Sequence, residues 1–166
     1  MTHTYTLQRR QFFPRPRDEV FPFFADAGNL QAITPQFLHF EYLTPLPVEM
    51  RPGTLIDYRI RLLGLPMRWR TRIDEFDPPR RFVDVQLRGP YRMWHHTHEF
   101  HEVEGGTLMI DLVRYQMPLG PLGRLVHLLL VRRLLDQIFD YRRRTLAERL
   151  GESDTAPSPA PPHRAA

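Results

Sequence analysis

The chain has 166 residues, 42% of them hydrophobic and 25% charged, which is the make-up of one ordinary globular domain. Cysteine is absent and all 23 basic residues are arginine, so disulfides, thiolate metal sites, thiol catalysis and lysine Schiff-base chemistry are excluded. The formal net charge of +4 tolerates an anionic ligand or surface without pointing to nucleic acid.

Thr4–Phe13 reads as a strand, with Tyr5, Leu7, Arg9, Gln11 and Phe13 in one alternation phase, as at an edge or a cavity rim. Pro14 and Pro16 end it. Asp18 and Glu19 then open a short aromatic-rich helix through Phe21, Phe23 and Phe24. Gly28-Asn29 breaks that helix, and Leu30, Ile33 and Phe37 predict a second short one. Further strands are predicted at His39–Leu43, Thr54–Leu63, Pro66–Phe76 and Arg81–Arg88. Ile56, Tyr58, Ile60 and Leu62 share one phase, as do Met67, Trp69, Thr71 and Ile73. On the last of these strands the apolar phase is Val83, Val85 and Leu87, with Asp84 on the other side. The opposite phases carry arginine and aspartate, which suits cross-strand charge pairs on a wet face.

Met93–His101 and Thr107–Met117 form a hairpin around Glu104-Gly105-Gly106. Trp94, His96, His98 and Phe100 share one phase, and a sheet that only covered a core would need no histidines there. A helix over Pro121–Leu150, about 45 Å long at ~1.5 Å per residue, follows from the helical spacing of Leu122, Leu125, Val126, Leu129, Ile138 and Tyr141. Leu129 is expected to be buried. The last 16 residues, GESDTAPSPAPPHRAA, lack apolar periodicity and are expected to form a disordered tail beyond a folded domain of residues 1–150.

The order of elements resembles the START-like, or helix-grip, superfamily of polyketide cyclases, plant pathogenesis-related ligand binders and coenzyme-Q-binding proteins. Within it the chain is similar to the small bacterial SRPBCC ligand-binding proteins. The likeness is carried by PRPRDEVFPFFADAGNLQAITP at 14–35, PGTLIDYRIRLLGLPMRWRTRIDEFDPPRRFVDVQLRGPY at 52–91, WHHTHEF at 94–100 and GTLMIDLVRYQMPLGPLGRL at 106–125. It implies an α+β fold, a curved antiparallel sheet wrapped around the long C-terminal helix, with a cavity between them. The face bearing Ile56, Tyr58, Ile60, Trp69, Val83 and Val85 is then expected to line that cavity. A solid core built from the same residues is the structural alternative.

Such a cavity suits a lipid, quinone or polyketide-like molecule. The residues expected to contact it are Tyr58, Trp69, Trp94, His96, His98, Phe100, Asp111 and Tyr115. His96, His98 and a carboxylate such as Asp111 have the donor types of an iron or zinc site. They equally make a hydrogen-bonded polar patch, and the resemblance brings no standard metal site, so neither metal nor cofactor is expected. The leading expectation is a non-enzymatic carrier. The alternatives are a cyclase or dehydratase that uses the cavity histidines and aspartate, and a regulatory module. Ser153 and Ser158 are the only serines, so a serine nucleophile is excluded from the folded part. No nucleic-acid partner is expected. Arg124, Arg132, Arg133 and Arg142–Arg144 would either keep the helix soluble or meet an anionic membrane transiently. The N-terminus does not read as a signal peptide, so the cytoplasm is the default.

Overall fold

The computed structural model describes residues 3–62 and 64–151. The expected tail lies outside them except for Gly151. Seven strands form one antiparallel sheet: β1 (Thr4–Phe13), β2 (Glu41–Tyr42), β3 (Leu55–Leu62), β4 (Leu65–Asp77), β5 (Arg81–Arg88), β6 (Met93–Val103) and β7 (Gly106–Gln116). Their spatial order is β1-β7-β6-β5-β4-β3-β2. Helix α1 (Arg17–Ala25) follows β1, and the chain ends in α2 (Gly120–Val126), a π-helical turn (His127–Val131) and α3 (Arg132–Leu150). This is the helix-grip arrangement, with the long C-terminal helix on one face of the sheet.

Period-two patterning accounts for most of the sheet's inner face. Ile56, Ile60, Trp69, Thr71 and Ile73 are buried, while Arg70 on the outer face pairs with Asp57 at 2.7 Å. The β6–β7 hairpin closes through Gly105 at φ +81, a conformation open to glycine at no steric cost. The tight turn puts Val103 opposite Gly106, and the ladder then carries His98 opposite Asp111 and Trp94 opposite Tyr115. On β1 the inward polar residues are satisfied by α3: Arg9 pairs with Asp136, and Nε2 of Gln11 donates to the carbonyl of Arg143 at 2.9 Å.

Four expectations change. The second short helix is instead a pair of 3₁₀ turns, Ala27–Asn29 and Gln36–Leu38, with Ile33 and Leu38 buried and Phe37 exposed. The strand at His39–Leu43 shrinks to Glu41–Tyr42. On β5 the cavity-side residues are Phe82 and Asp84, not Val83 and Val85, although Val83 is itself fully buried. The β4–β5 register shifts between Ile73 and Glu75, so Ile73 faces Asp84 and Phe76 faces Phe82. An extra residue on one strand of a pair reverses the phase from there onward.

The fourth change is Leu129, which is 65% exposed, together with Leu122, Leu125 and Val126. The buried stripe runs instead through Gly123, His127, Val131, Leu135 and Phe139, in four-residue steps. Such steps drift by about 40° each in an ideal α-helix. The wider π turn takes back part of that rotation and keeps the stripe against the sheet. Gly123 is the close approach in this stretch, because a Cβ there would lie 1.9 Å from the carbonyl oxygen of Pro118. Among the described residues no helix is long and apolar enough to cross a membrane.

Candidate functional site

Between the sheet and α3 lies a cavity of about 180 Å³. Ile56, Tyr58, Ile60 and Trp69 form its sheet wall, and Leu134, Leu135, Ile138 and Phe139 its helix wall. Phe23, Phe24, Leu30 and Ile33 close one side. Tyr58 stacks on Trp69 at 5.8 Å between ring centroids, and Trp69 meets Trp94 edge-on at 5.5 Å. These flat rings give apolar area with little side-chain freedom to lose. Nε1 of Trp69 donates to Oγ1 of Thr71 at 3.1 Å, so the buried indole is satisfied.

One wall of the cavity is polar. Asp84, His96 and His98 line it from β5 and β6, and Arg142 lines it from α3. Asp111 stands behind the histidines on β7, outside the cavity lining. Nε2 of His98 shares a hydrogen bond with Oδ2 of Asp84 at 3.0 Å, and Nε2 of His96 shares one with Oδ1 of Asp111 at 3.0 Å. Nδ1 of His98 is 2.7 Å from Oδ1 of Asp111, and Nδ1 of His96 is 3.7 Å from Oδ2 of Asp84. The imidazoles themselves lie 3.8 Å apart.

Two carboxylates and two imidazoles thus form a closed ring of contacts, and their protonation follows from it. Burial alone would raise the Asp111 carboxyl, but His98 and His96 outweigh it and hold the group well below the usual carboxylate range. Asp84 is lowered too: its burial is overcome by the hydrogen bond from His98 and the nearby His96. For His98, burial opposes the charged form, but Asp111 and Asp84 together raise its pKa. His96 goes the other way, lowered first by burial and then by the charge on His98. The cluster therefore favours one imidazolium, on His98, beside one neutral ring.

Of the residues expected from sequence, Tyr58, Trp69, Trp94, His96 and His98 line the cavity. Phe100 does not; it packs in a separate core cluster with Phe13, Phe21, Phe24 and Phe82. Tyr115 also lies off the cavity. Its hydroxyl shares a 2.8 Å hydrogen bond with Nε2 of His127, and burial pushes its pKa up to about 12. Asp84 and Arg142 are polar lining residues missed from sequence, as are Asp26, Asn29 and Thr34 at the other end of the cavity. Asp84 sits in the phase assigned to solvent, although Phe82 in that same phase was a signal. Arg142 reads as one of a solvated arginine run, yet its guanidinium lies 5.0 Å over the Phe139 ring, and its Nε is buried without a hydrogen-bond partner.

The fold recurs in solved structures. Protein TTHA0849 of Thermus thermophilus is 21% identical, with a TM-score of 0.65 over 88% of this chain and 97% of that one. Protein CV1439 of Chromobacterium violaceum is 14% identical, with a TM-score of 0.67 over 89% and 98%. Ara h 8.0201 is 17% identical, with a TM-score of 0.58 over 87% and 99%. At these identities the likeness establishes the fold alone. No curated protein sequence matches the chain significantly. Its own sequence is more informative, because residues 13–139 match the profile of the family described as polyketide cyclase / dehydrase and lipid transport, and the chain therefore belongs to that family.

Proposed function

We propose that the protein binds and carries one small hydrophobic molecule with a polar end, seated between the sheet and α3. The observation that carries this reading is a largely aromatic and aliphatic cavity into which a cluster of polar side chains, Asp84, His96, His98 and Arg142, opens. The family's description, which spans cyclisation, dehydration and lipid transport, supports a hydrophobic ligand in general. The volume of about 180 Å³ lies below the ~300–1,000 Å³ of typical ligand pockets, so a compact ring or short chain fits better than a two-chain lipid. Tyr58, Trp69 and Trp94 would flank the apolar body. The carbonyl, hydroxyl or acid end would meet His98 and Arg142. Phe100, Asp111 and Tyr115 would support the site from behind without touching the ligand.

A surface suited to loading lies just before α3, on α2 and the π-helical turn. Leu119, Leu122, Leu125, Leu128 and Leu129 are all more than half exposed, and Arg124, Arg132 and Arg133 lie among or beside them. Leucines flanked by arginines suit brief contact with an anionic bilayer, where an apolar ligand would be collected or released.

A second reading, acid–base catalysis on a bound carbonyl, is favoured by His98 standing at the cavity wall between Asp84 and Asp111, which raise its pKa. The two are separated by one comparison. Native mass spectrometry of gently purified protein, followed by solvent extraction, should find one apolar molecule per chain, lost when Leu134→Trp fills the cavity. With that molecule in hand, His98→Gln should weaken binding modestly and leave the ligand chemically unchanged. Retained affinity with turnover cut by about 10²–10⁴-fold would establish the enzyme instead. A wild type that takes up no phenol, quinone or fatty acid and carries none on purification would overturn the cavity reading.

A further inference from the structure

Three donor atoms converge at the polar wall. Oδ2 of Asp84 is 3.0 Å from Nε2 of His98 and 3.7 Å from Nδ1 of His96, and all three lie within 4.8 Å of one another. Ligands held at ~2.0–2.2 Å from one ion stand roughly 3.0–3.6 Å apart, so small side-chain adjustments suffice. The far nitrogen of each ring faces a single oxygen: Oδ1 of Asp111 is 3.0 Å from Nε2 of His96 and 2.7 Å from Nδ1 of His98. A carboxylate behind each histidine is what fixes ring orientation and tautomer in metal sites. Nδ1 of His98 is buried and, despite that short approach, makes no aligned hydrogen bond.

We propose that Asp84, His96 and His98 bind one divalent first-row transition ion, with Asp111 as the positioning carboxylate and the remaining coordination positions open to the cavity. Two imidazoles and one carboxylate suit Zn²⁺ or Fe²⁺, whereas Mg²⁺ and Ca²⁺ require oxygen donors. With both rings neutral, Asp84 and Asp111 carry two negative charges against the single positive charge of Arg142, so the ion meets a site of net negative charge, and an anionic ligand end would complete the balance. On loading, the proton shared by His98 and Asp84 leaves to solvent, because both atoms become ligands. A ligand oxygen or water completes the coordination. The site stands whatever organic molecule the cavity carries, since its donors all come from the chain.

The test uses untagged, chelator-stripped full-length protein titrated with Co²⁺, followed by its visible absorption and by displacement with Zn²⁺. The expected result is one ion per chain. Asp84→Asn and His96→Phe should each weaken binding at least 100-fold. Asp111→Asn should weaken it about 10–100-fold with the stoichiometry kept, as for an outer-shell partner. Exposed His101→Gln should change nothing. Because the cluster is buried, histidine nitrogen NMR of the wild type provides a readout free of folding defects: Zn²⁺ should shift Nδ1 of His96 and Nε2 of His98. Absence of a Co²⁺ spectrum at millimolar ion, unchanged affinity in folded Asp84→Asn, or Zn²⁺ shifts confined to other histidines would each overturn the assignment.

Discussion

Leu135→Ala and Leu129→Ala, made side by side, test how the C-terminal helix sits. Leu135 is 3% exposed among Val113, Trp94 and Phe139, and it borders the cavity, whereas Leu129 is 65% exposed. Truncating Leu135 removes three carbon groups at about 0.8 kcal/mol each, or roughly 2.4 kcal/mol of transfer free energy. Enlarging an existing void adds less than opening a new one, so the total should be about 2.5–4 kcal/mol, inside the ~2–5 kcal/mol range for such changes. For a chain of this size that corresponds to a fall in melting temperature of about 5–15 °C. Leu129→Ala should stay within about 0.5 kcal/mol of wild type. Urea unfolding followed by circular dichroism measures both. If Leu129→Ala costs as much as Leu135→Ala, or Leu135→Ala costs under about 1 kcal/mol, the helix is rotated and the π-turn argument fails.

Two further outcomes follow from the charge pattern and the surface. In chelator, the stability advantage of wild type over His98→Gln should be complete below the unfolded histidine value of about 6.5 and should shrink as the pH rises through the raised value of His98; a constant difference between about pH 6 and about pH 9 would refute the assignment of the imidazolium. Asp84 and Asp111 add the opposite limb, stability present above about pH 4 and lost as the pH falls through their lowered values. Wild-type protein should float with phosphatidylglycerol vesicles, and Leu125→Glu with Leu128→Glu should reduce this at least about 10-fold, each buried leucine being worth roughly 1.5–3 kcal/mol. Unchanged flotation would remove this surface from the loading step.

The parts of this molecule that were legible in its sequence share one property: a regular period with one wet face. β3 and the first half of β4 meet that condition, and their expected inner residues line the cavity or its edge; on β6 Trp94, His96 and His98 do so, whereas Phe100 packs elsewhere and Thr97 of the opposite phase is buried too. The pairing of His98 with Asp111 was within reach as well, because a two-residue turn after Val103 makes opposite residue numbers sum to a constant along the ladder. Asp84 lies between two register shifts of the β4–β5 ladder, one that leaves out Leu87 on β5 and one that leaves out Asp74 on β4, and the valines of the opposite phase mask its inward side. The helix stripe was hidden in the same manner, since a single wide turn at His127–Val131 moves four leucines and valines from core to surface without changing the composition. Both misses arise where an otherwise regular ladder or helix carries a local irregularity. Local propensity does not register such an irregularity, and tertiary packing decides it.

The placement of the aromatic rings has an optical consequence. The chain contains two tryptophans, Trp69 and Trp94, and both form part of the cavity wall. All indole emission therefore originates at the candidate site, with none from a distant surface to dilute it. Because the rings meet edge-on at 5.5 Å, they also share excitation, and a molecule that separates or quenches one will alter the other. The protein thus carries an intrinsic reporter of occupancy: unlabelled material in a fluorimeter can be screened against a compound library.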